Sequence, residues 1–136
     1  MLDRYALKLA KPVIDRAARV IRNSGYSADQ VTFTGFGLGL FAVLCIAFGF
    51  YAFAILPLLA SRALDGLDGA VARAGVATDR GAFLDIGLDF VFYGLIPLAF
   101  AVANPEANAL AAATLLAAFV GTGSSFLAYA IIAEKR

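Results

Sequence analysis

The stretch that decides the fold is QVTFTGFGLGLFAVLCIAFGFYAFAILPLLAS, which covers residues 30–61 and contains no Lys, Arg, Asp or Glu. A membrane-spanning helix needs about 20 predominantly apolar residues, so this stretch is too long for one ordinary span. We expect it to break near 49–51 and to contribute to two antiparallel helices. The first of these carries Gly35, Gly37 and Gly39, which would allow close helix contact.

Two further charge-free gaps follow, between Asp89 and Glu106 and between Glu106 and Glu134. Ser27 and Gln30 have the spacing of a capping box, and Asn104 with Pro105 predicts a turn. The spans predicted from these signals are 28–48, 52–74, 82–103 and 107–133. No internal repeat or low-complexity linker divides them.

The bulk composition is that of a membrane protein. Of the 136 residues, 62% are apolar, and the mean hydropathy is +0.84, which exceeds that of an ordinary soluble domain. Cys45 is the single cysteine and lies in an apolar run, where we expect it to pack as a small hydrophobic residue. The absence of histidine excludes Ser-His and Cys-His catalytic arrangements and imidazole zinc sites. Chemistry in this chain has to rest on carboxylates.

Residues 2–21 predict an amphipathic helix in the membrane interface, and six of the eleven basic residues precede Asn23. The apolar positions at helical spacing are Leu2, Ala6, Leu9, Val13, Ala17 and Val20, and the basic positions opposite them are Arg4, Lys8, Lys11, Arg19 and Arg22. This pattern suits a helix on an anionic leaflet, with a kink at Pro12. The alternative is a packed soluble helix with a solvated basic face. Because the segment is charged throughout, we expect no cleaved signal peptide.

The sequence therefore predicts an all-α, polytopic transmembrane helix bundle with an N-terminal amphipathic interfacial helix (1–24) and about four membrane spans (28–133), in one domain over 1–136. Four spans would place both ends of the chain and the loop at 75–80 on the same side of the membrane. Every Lys and Arg then lies on or near that side, and the positive-inside rule makes it cytoplasmic.

Four aspartates stand out in this apolar chain. Asp65 and Asp68 are three residues apart on one predicted helix, and Asp85 and Asp89 are four apart on the next, so each pair projects from one helix face. The short loop at 75–80 would make these helices antiparallel neighbours. Unpaired, the four carboxylates would repel one another and lose hydration at a high free-energy cost. A set of oxygen ligands favours one or two Mg²⁺, Mn²⁺ or Ca²⁺ ions.

A purely structural alternative is that arginines neutralise the aspartates and only fix helix packing; the candidates are Arg62, Arg73 and Arg80. Three arginines cannot pair off four aspartates, and ionisable residues within membrane segments are usually functional.

Glycine lowers the stability of a helix, so its presence there is explained best where another group must approach the backbone closely. Gly66 and Gly69 therefore favour a functional role for this part of the helix. Gly69 and Ala72 share the side of Asp65 and Asp68, which predicts a shallow concavity beside the carboxylates.

The segments DGLDGAVAR at 65–73 and GAFLDIGLD at 81–89 together resemble the signature of the CDP-alcohol phosphotransferases, also called CDP-alcohol phosphatidyltransferases. The fixed positions of that signature are all present: Asp65, Asp68, Gly69, Ala72, Arg73, Gly81, Asp85 and Asp89. The spacing between Arg73 and Gly81 is slightly shorter than is usual in the family. Thr78 falls where a serine or threonine often stands.

This resemblance implies a transferase of phospholipid biosynthesis. A hydroxyl acceptor would attack a CDP-alcohol, such as CDP-diacylglycerol, at the phosphate next to its lipid alcohol, releasing CMP. By the same resemblance Asp65, Asp68 and Asp85 bind one or two Mg²⁺ or Mn²⁺ ions, and Asp89 adds a fourth carboxylate and acts as general base, a division of roles that suits phosphoryl chemistry. The residues implied in binding CDP and its phosphates are Asp65, Gly69, Ala72, Arg73 and Thr78.

The resemblance also sets expectations for the whole protein. Family members usually have six spans and form dimers, so we expect a homodimer and a C-terminally truncated chain, which is either a fragment or a natural short form whose missing helices come from a partner subunit. We expect a multi-pass protein of the cell (inner) membrane with its site on the cytoplasmic side. Its partners would be the lipid substrate, the acceptor and membrane lipids, without nucleic acid.

The acceptor alcohol stays open at this stage. Arg80, Lys135 and Arg136 are candidates to bind an acceptor phosphate, or are simply topology residues, and Tyr93 either faces the pocket or packs. Two other functions remain as alternatives: a cation transporter whose pathway is lined by carboxylates, and an inactive truncated homologue that serves as a partner.

Overall fold

The computed structural model describes residues 2–75 and 78–135, with side chains from residue 11 onward. This part of the chain is all-α, as predicted, and contains no strand. Its helices are α1 (Leu2–Asn23), α2 (Ala28–Ala47), α3 (Tyr51–Ala74), α4 (Asp79–Ala103) and α5 (Pro105–Glu134).

The helix boundaries follow the local signals in the sequence. The capping box forms before α2, where the Gln30 backbone N–H donates to Ser27 Oγ at 3.2 Å and the Ser27 N–H donates to Gln30 Oε1 at 2.9 Å. Gly49 adopts a positive φ of 80° in the α2–α3 turn, a conformation that glycine takes without strain. The Asn104 side chain accepts a hydrogen bond from the Ala107 N–H and so caps α5. The long apolar stretch therefore breaks where predicted.

Three of the helices, α2, α4 and α5, are long and apolar enough to cross a membrane. The sequence predicts about four spans; the additional one, at 52–74, corresponds to α3, which is not among these three helices because of its charged residues. With 24 residues, α3 is about 36 Å long, which exceeds the hydrocarbon thickness of about 30 Å. From its middle onward, however, α3 carries charged side chains, namely Arg62, Asp65, Asp68 and Arg73. The charged site lies on this helix.

Helix α2 is the centre of the bundle, because its backbone approaches both α3 and α4 closely. A Cβ on Gly35 would lie 3.1 Å from Leu64 Cβ, and a Cβ on Gly39 would lie 2.7 Å from the Phe92 ring. Both positions therefore use the absence of a side chain for close packing. Gly37 does not, because a Cβ there would meet nothing within 4 Å. Cys45 packs against the hydrophobic core, as expected.

Helix α1 packs on the bundle through a narrow apolar face. Ala18 is 1% exposed and lies in a cluster with Ala70 and Val71 of α3, supported by Ile14 and Ile21. The predicted apolar stripe lies beside this face and stays open, with Val13 70% and Val20 59% exposed. The helix continues through Pro12. The part of the predicted amphipathic pattern that falls on 2–10 lies outside the described side chains.

The predicted neighbours α3 and α4 meet through their side chains and not through close backbone packing. The helix pairs whose backbones lie close together are α2 with α3, α2 with α4, α4 with α5, and α1 with α3. Within the described ranges, the backbones of α3 and α4 rarely come close to each other. The two helices meet through long polar side chains, which require more room than alanine or glycine contacts. The gap between them holds the aspartates.

Candidate metal and phosphoryl-transfer site

Three of the four aspartates converge between α3 and α4. Asp65 and Asp68 project from the C-terminal half of α3, and Asp85 projects from the second turn of α4. One carboxylate oxygen from each lies within 4.8 Å of the others. Asp68 is buried, and Asp65 and Asp85 are half-buried. Such a cluster can hold a cation between its oxygens.

Asp68 is fixed by two short hydrogen bonds. Thr32 Oγ1 on α2 donates to Asp68 Oδ2 at 2.6 Å, and the Gly69 backbone N–H donates to Asp68 Oδ1 at 2.6 Å. Asp68 as a whole is only 3% exposed, so these bonds offset the lost hydration of a charged group. They also hold the carboxylate in one orientation relative to Asp65 and Asp85.

Asp89 lies beside this cluster, outside the group of three, and pairs with an arginine. Arg62 Nη1 donates to Asp89 Oδ1 at 2.9 Å and also lies 3.4 Å from Asp65 Oδ2. The Arg62 guanidinium carbon lies 4.2 Å from the centroid of the Phe92 ring and 5.6 Å from that of Tyr93. Arg62 thus joins α3 to α4 through an ion pair and through cation–π contacts.

The ion-pair alternative is therefore realised only in part. Arg62 neutralises charge on two aspartates, but Arg80 pairs with Asp29, with a distance of 3.8 Å from Arg80 Nε to Asp29 Oδ2. Arg73 makes no ion pair with a described carboxylate within 4.0 Å; all four pairs involve other cations. Among the described side chains, no arginine pairs with Asp68 or Asp85.

Two cavities meet at the cluster. The larger, here called the loop-side cavity, has a volume of about 400 Å³ and is lined by residues of the signature, namely Asp68, Gly69, Ala72, Arg73, Gly81 and Asp85, together with Thr78 and residues of α2. The smaller, here called the inner cavity, is lined by Arg62, Asp65, Asp85 and Asp89. Thr32 and Asp85 line both. The concavity predicted beside Gly69 and Ala72 is present.

The glycines and Thr78 have separate structural positions. A Cβ on Gly69 would lie 3.2 Å from Arg73 Nη1, so the guanidinium folds back over this position. Gly66 has open space around it. Thr78 lines the loop-side cavity and also caps α4, because its Oγ1 accepts from the Gly81 N–H at 3.0 Å.

The remaining candidates lie farther out. Arg80 has a side chain that is 76% exposed and is turned to Asp29. Lys135 is exposed at the end of α5, and Arg136 lies outside the described residues. Tyr93 both packs against Phe119 and contacts Arg62.

Thr32 is the site residue that sequence reasoning missed. It lies outside the signature, on a predominantly apolar helix, and its only sequence signal is a hydroxyl in the first turns of α2. The bridging position of Arg62 was also not foreseen, since the sequence presents Arg62 simply as one of three possible counter-charges.

The donor set fits a divalent cation of the magnesium type. The converging atoms are all carboxylate oxygens, which Mg²⁺ and Mn²⁺ prefer over softer ligands. Arg62 offsets only part of the negative charge of the aspartates, and the charge that remains favours binding of a divalent cation.

Fold and site together define a polytopic helical membrane protein with a carboxylate cluster at one end of its charged helix. The family model for CDP-alcohol phosphatidyltransferase matches residues 26–136, so the chain belongs to this family. It is similar to the inner membrane protein YnjF of Escherichia coli (strain K12), with 50% identity over 135 residues, which are 99% of this chain and 66% of the relative. The chain thus spans about two thirds of the length of that relative. No solved structure matches the chain.

Proposed function

We propose that the protein transfers a phosphatidyl, or substituted phosphate, group from a CDP-alcohol such as CDP-diacylglycerol to a hydroxyl acceptor and releases CMP. Membership of the family supports transfer of a phospholipid head group as the general activity. The observation that carries the proposal is the convergence of Asp65, Asp68 and Asp85 within 4.8 Å beside the loop-side cavity. The cavity volume of about 400 Å³ lies in the usual range of small-molecule sites.

Asp65, Asp68 and Asp85 would hold Mg²⁺ or Mn²⁺, with Asp89 as a further carboxylate close by. A bound divalent cation would offset the negative charge of the pyrophosphate during transfer. Asp68 is suited to this role because Thr32 and Gly69 already fix its orientation, so little conformational freedom is lost on binding.

Arg73, Gly69 and Ala72 would bind the nucleotide end of the donor. Arg73 supplies a guanidinium to the loop-side cavity, and a guanidinium is well matched to phosphate oxygens. Gly69 and Ala72 keep the wall low, so that a phosphate can approach the helix. Thr78 contributes a hydroxyl at the cavity margin and keeps the start of α4 in place.

Asp89 would act as general base for the acceptor. Its Oδ1 accepts from Arg62, which would hold the carboxylate in place while it takes the proton of the acceptor hydroxyl. The acceptor oxygen forms a bond to the phosphorus beside the lipid alcohol. The bond from that phosphorus to the bridging oxygen breaks, and CMP leaves with that oxygen.

The setting of the reaction is part of the proposal. The apolar helices and the inner-membrane location of the relative support a multi-pass protein of the inner membrane. The six basic residues before Asn23 favour a cytoplasmic site by the positive-inside rule. A single domain, which acts as a homodimer, remains our prediction, and Arg80 is retained as an acceptor-binding candidate.

The direct test incubates the purified protein with CDP-diacylglycerol labelled in its lipid part and a panel of acceptors, with Mg²⁺ or Mn²⁺. We expect cation-dependent CMP release and a labelled product that identifies the acceptor. Asp89→Asn should lower turnover by about 100-fold or more, in the range expected for loss of general-base catalysis. Asp79→Asn is the matched control, because Asp79 is an exposed aspartate of the same helix outside both cavities.

Full turnover in Asp89→Asn would remove Asp89 from the mechanism. Absence of CMP release with every acceptor, combined with cation flux in liposomes, would favour the transporter alternative. Absence of both would favour the inactive homologue.

A further inference from the structure

A second concavity, strongly basic, lies between α1 and α3. It has a volume of about 610 Å³ and is lined by Lys11, Arg19 and Arg22 of α1 and by Arg73 of α3; Asp15 is the one carboxylate in its lining. We call it the basic groove. Arg73 belongs to the signature and also lines the loop-side cavity, whereas the other charged residues of the basic groove lie outside the signature and have no part in the proposed transfer reaction.

The positive charge of the basic groove is not neutralised from within. Asp15 is engaged by Lys11, with 3.2 Å between Lys11 Nζ and Asp15 Oδ2. Across residues 11–75 and 78–135, no carboxylate lies within 4.0 Å of the charged nitrogens of Arg19, Arg22 or Arg73. Three guanidinium groups around one concavity create a positive potential that attracts an anion.

The fold holds these arginines in place. Ala18, 1% exposed, forms part of the groove wall and fixes α1 against Ala70 of α3. The Arg22 guanidinium carbon lies 3.7 Å from the position of a Cβ on Gly75, beside the last carbonyl groups of α3. Arg73 folds back over its own helix at Gly69. Arg22 is therefore held against the end of α3 and Arg73 against its own helix, and the packing of α1 on α3 places Arg19 on the same concavity.

We propose that the basic groove binds a phosphate group, with Arg19, Arg22 and Arg73 as its donors. The planar fork of a guanidinium donates two parallel hydrogen bonds to phosphate oxygens, and several forks can surround one tetrahedral anion. A free phosphate or phosphomonoester and the headgroup of an anionic lipid offer this same chemistry. The proposal does not rest on the transfer activity, because binding here needs no cation and no CDP-alcohol.

The test measures binding to the full chain in neutral detergent with a chelator present. One arm measures the dissociation constant of labelled inorganic phosphate by equilibrium dialysis. The other counts bound phosphatidic acid by native mass spectrometry, with phosphatidylcholine as the neutral-lipid control. Arg19→Ala and Arg22→Ala are compared with Arg16→Ala, which removes the same charge from an exposed position of α1 outside the basic groove.

We expect saturable binding in at least one arm, and the arm in which it occurs identifies the source of the phosphate. Arg19→Ala and Arg22→Ala should each weaken it roughly fivefold, the effect of about one favourable charge contact. Arg16→Ala should leave it unchanged. Arg19 is exposed and, unlike Arg22, has no close contact with Gly75, so its variant keeps the test valid if Arg22→Ala lowers the melting temperature. No binding in either arm, or equal weakening by Arg16→Ala, would overturn the proposal and leave the transfer proposal untouched.

Discussion

Arg62 gives the aspartate cluster an asymmetry that the four carboxylates do not have by themselves. It pairs with Asp89 at 2.9 Å and approaches Asp65 at 3.4 Å, while no arginine whose side chain the structure describes pairs with Asp68 or Asp85. Its Nε is buried and has no hydrogen-bond partner in the described part of the chain. The side chain is thus held by its charge contacts and by the rings of Phe92 and Tyr93.

We predict that Arg62 positions Asp89, so that Arg62→Met lowers kcat by about 10- to 100-fold, the usual effect of losing a group that orients a metal-site carboxylate. KM for the CDP-alcohol should change little, because Arg62 does not line the loop-side cavity. Arg62→Lys should restore part of kcat, since an ammonium can still pair with Asp89. A loss that affects KM and kcat equally, or that merely follows a lower melting temperature, would contradict a positioning role.

Helix α2 shows how glycine spacing is used between helices. Gly35 and Gly39 are four residues apart and share a face, which lies against α3 and α4, whereas Gly37 is turned about 200° away from Gly35. A Cβ on Gly39 would lie 2.9 Å from Ser61 Oγ as well as 2.7 Å from the Phe92 ring. Ser61 is 0% and Phe92 2% exposed, so neither has room to move.

We therefore predict opposite outcomes for two alanine substitutions on α2. Gly39→Ala should destabilise the protein by about 1–3 kcal/mol, the usual cost of overpacking a core. Gly37→Ala should be neutral or stabilise it by up to about 1 kcal/mol, because alanine is the better helix former and the site is open. Thermal unfolding in detergent measures both. Equal melting temperatures for the two variants would show that the α2 face is not closely packed.

The bundle as a whole sets three carboxylates from two helices around one point. Repulsion among them opposes the approach of α3 and α4, and a cation at that point would turn this repulsion into attraction. Folding and cation binding are then linked, since the unfolded chain does not hold the three side chains together.

We predict that Mg²⁺ or Mn²⁺ stabilises the folded protein. At about 100 times the dissociation constant the gain would be about 2.7 kcal/mol for one site, seen as a higher melting temperature that a chelator reverses. Asp68→Asn should abolish most of this shift, and Asp79→Asn should keep it. The measurement needs no substrate and therefore tests the metal site by itself. A melting-temperature shift that persists in Asp68→Asn would contradict the metal site and would leave the proposal for the basic groove unaffected.

Much of the fold can be predicted from the sequence because its signals are local. The capping residues at Ser27 and Gln30, the turn at Gly49 and the apolar runs each determine the conformation of their own few residues. The signature likewise identifies its aspartates, because their spacing of three and four places each pair on one helix face. The face by which α1 packs was not predicted from its hydrophobic pattern, since Ile14, Ala18 and Ile21 lie beside the stripe at Val13 and Val20.

Taken alone, the amino-acid sequence determined the class of protein, the positions of its helices and the residue types available for chemistry. Tertiary structure decided which charges meet. Arg62 reaches Asp89 across 27 residues of sequence, and Thr32 reaches Asp68 across 36; neither pair has a spacing that local periodicity can reveal. The physical reason is that helix propensity and hydropathy act over a few residues, whereas the partner of a buried charge depends on how whole helices pack.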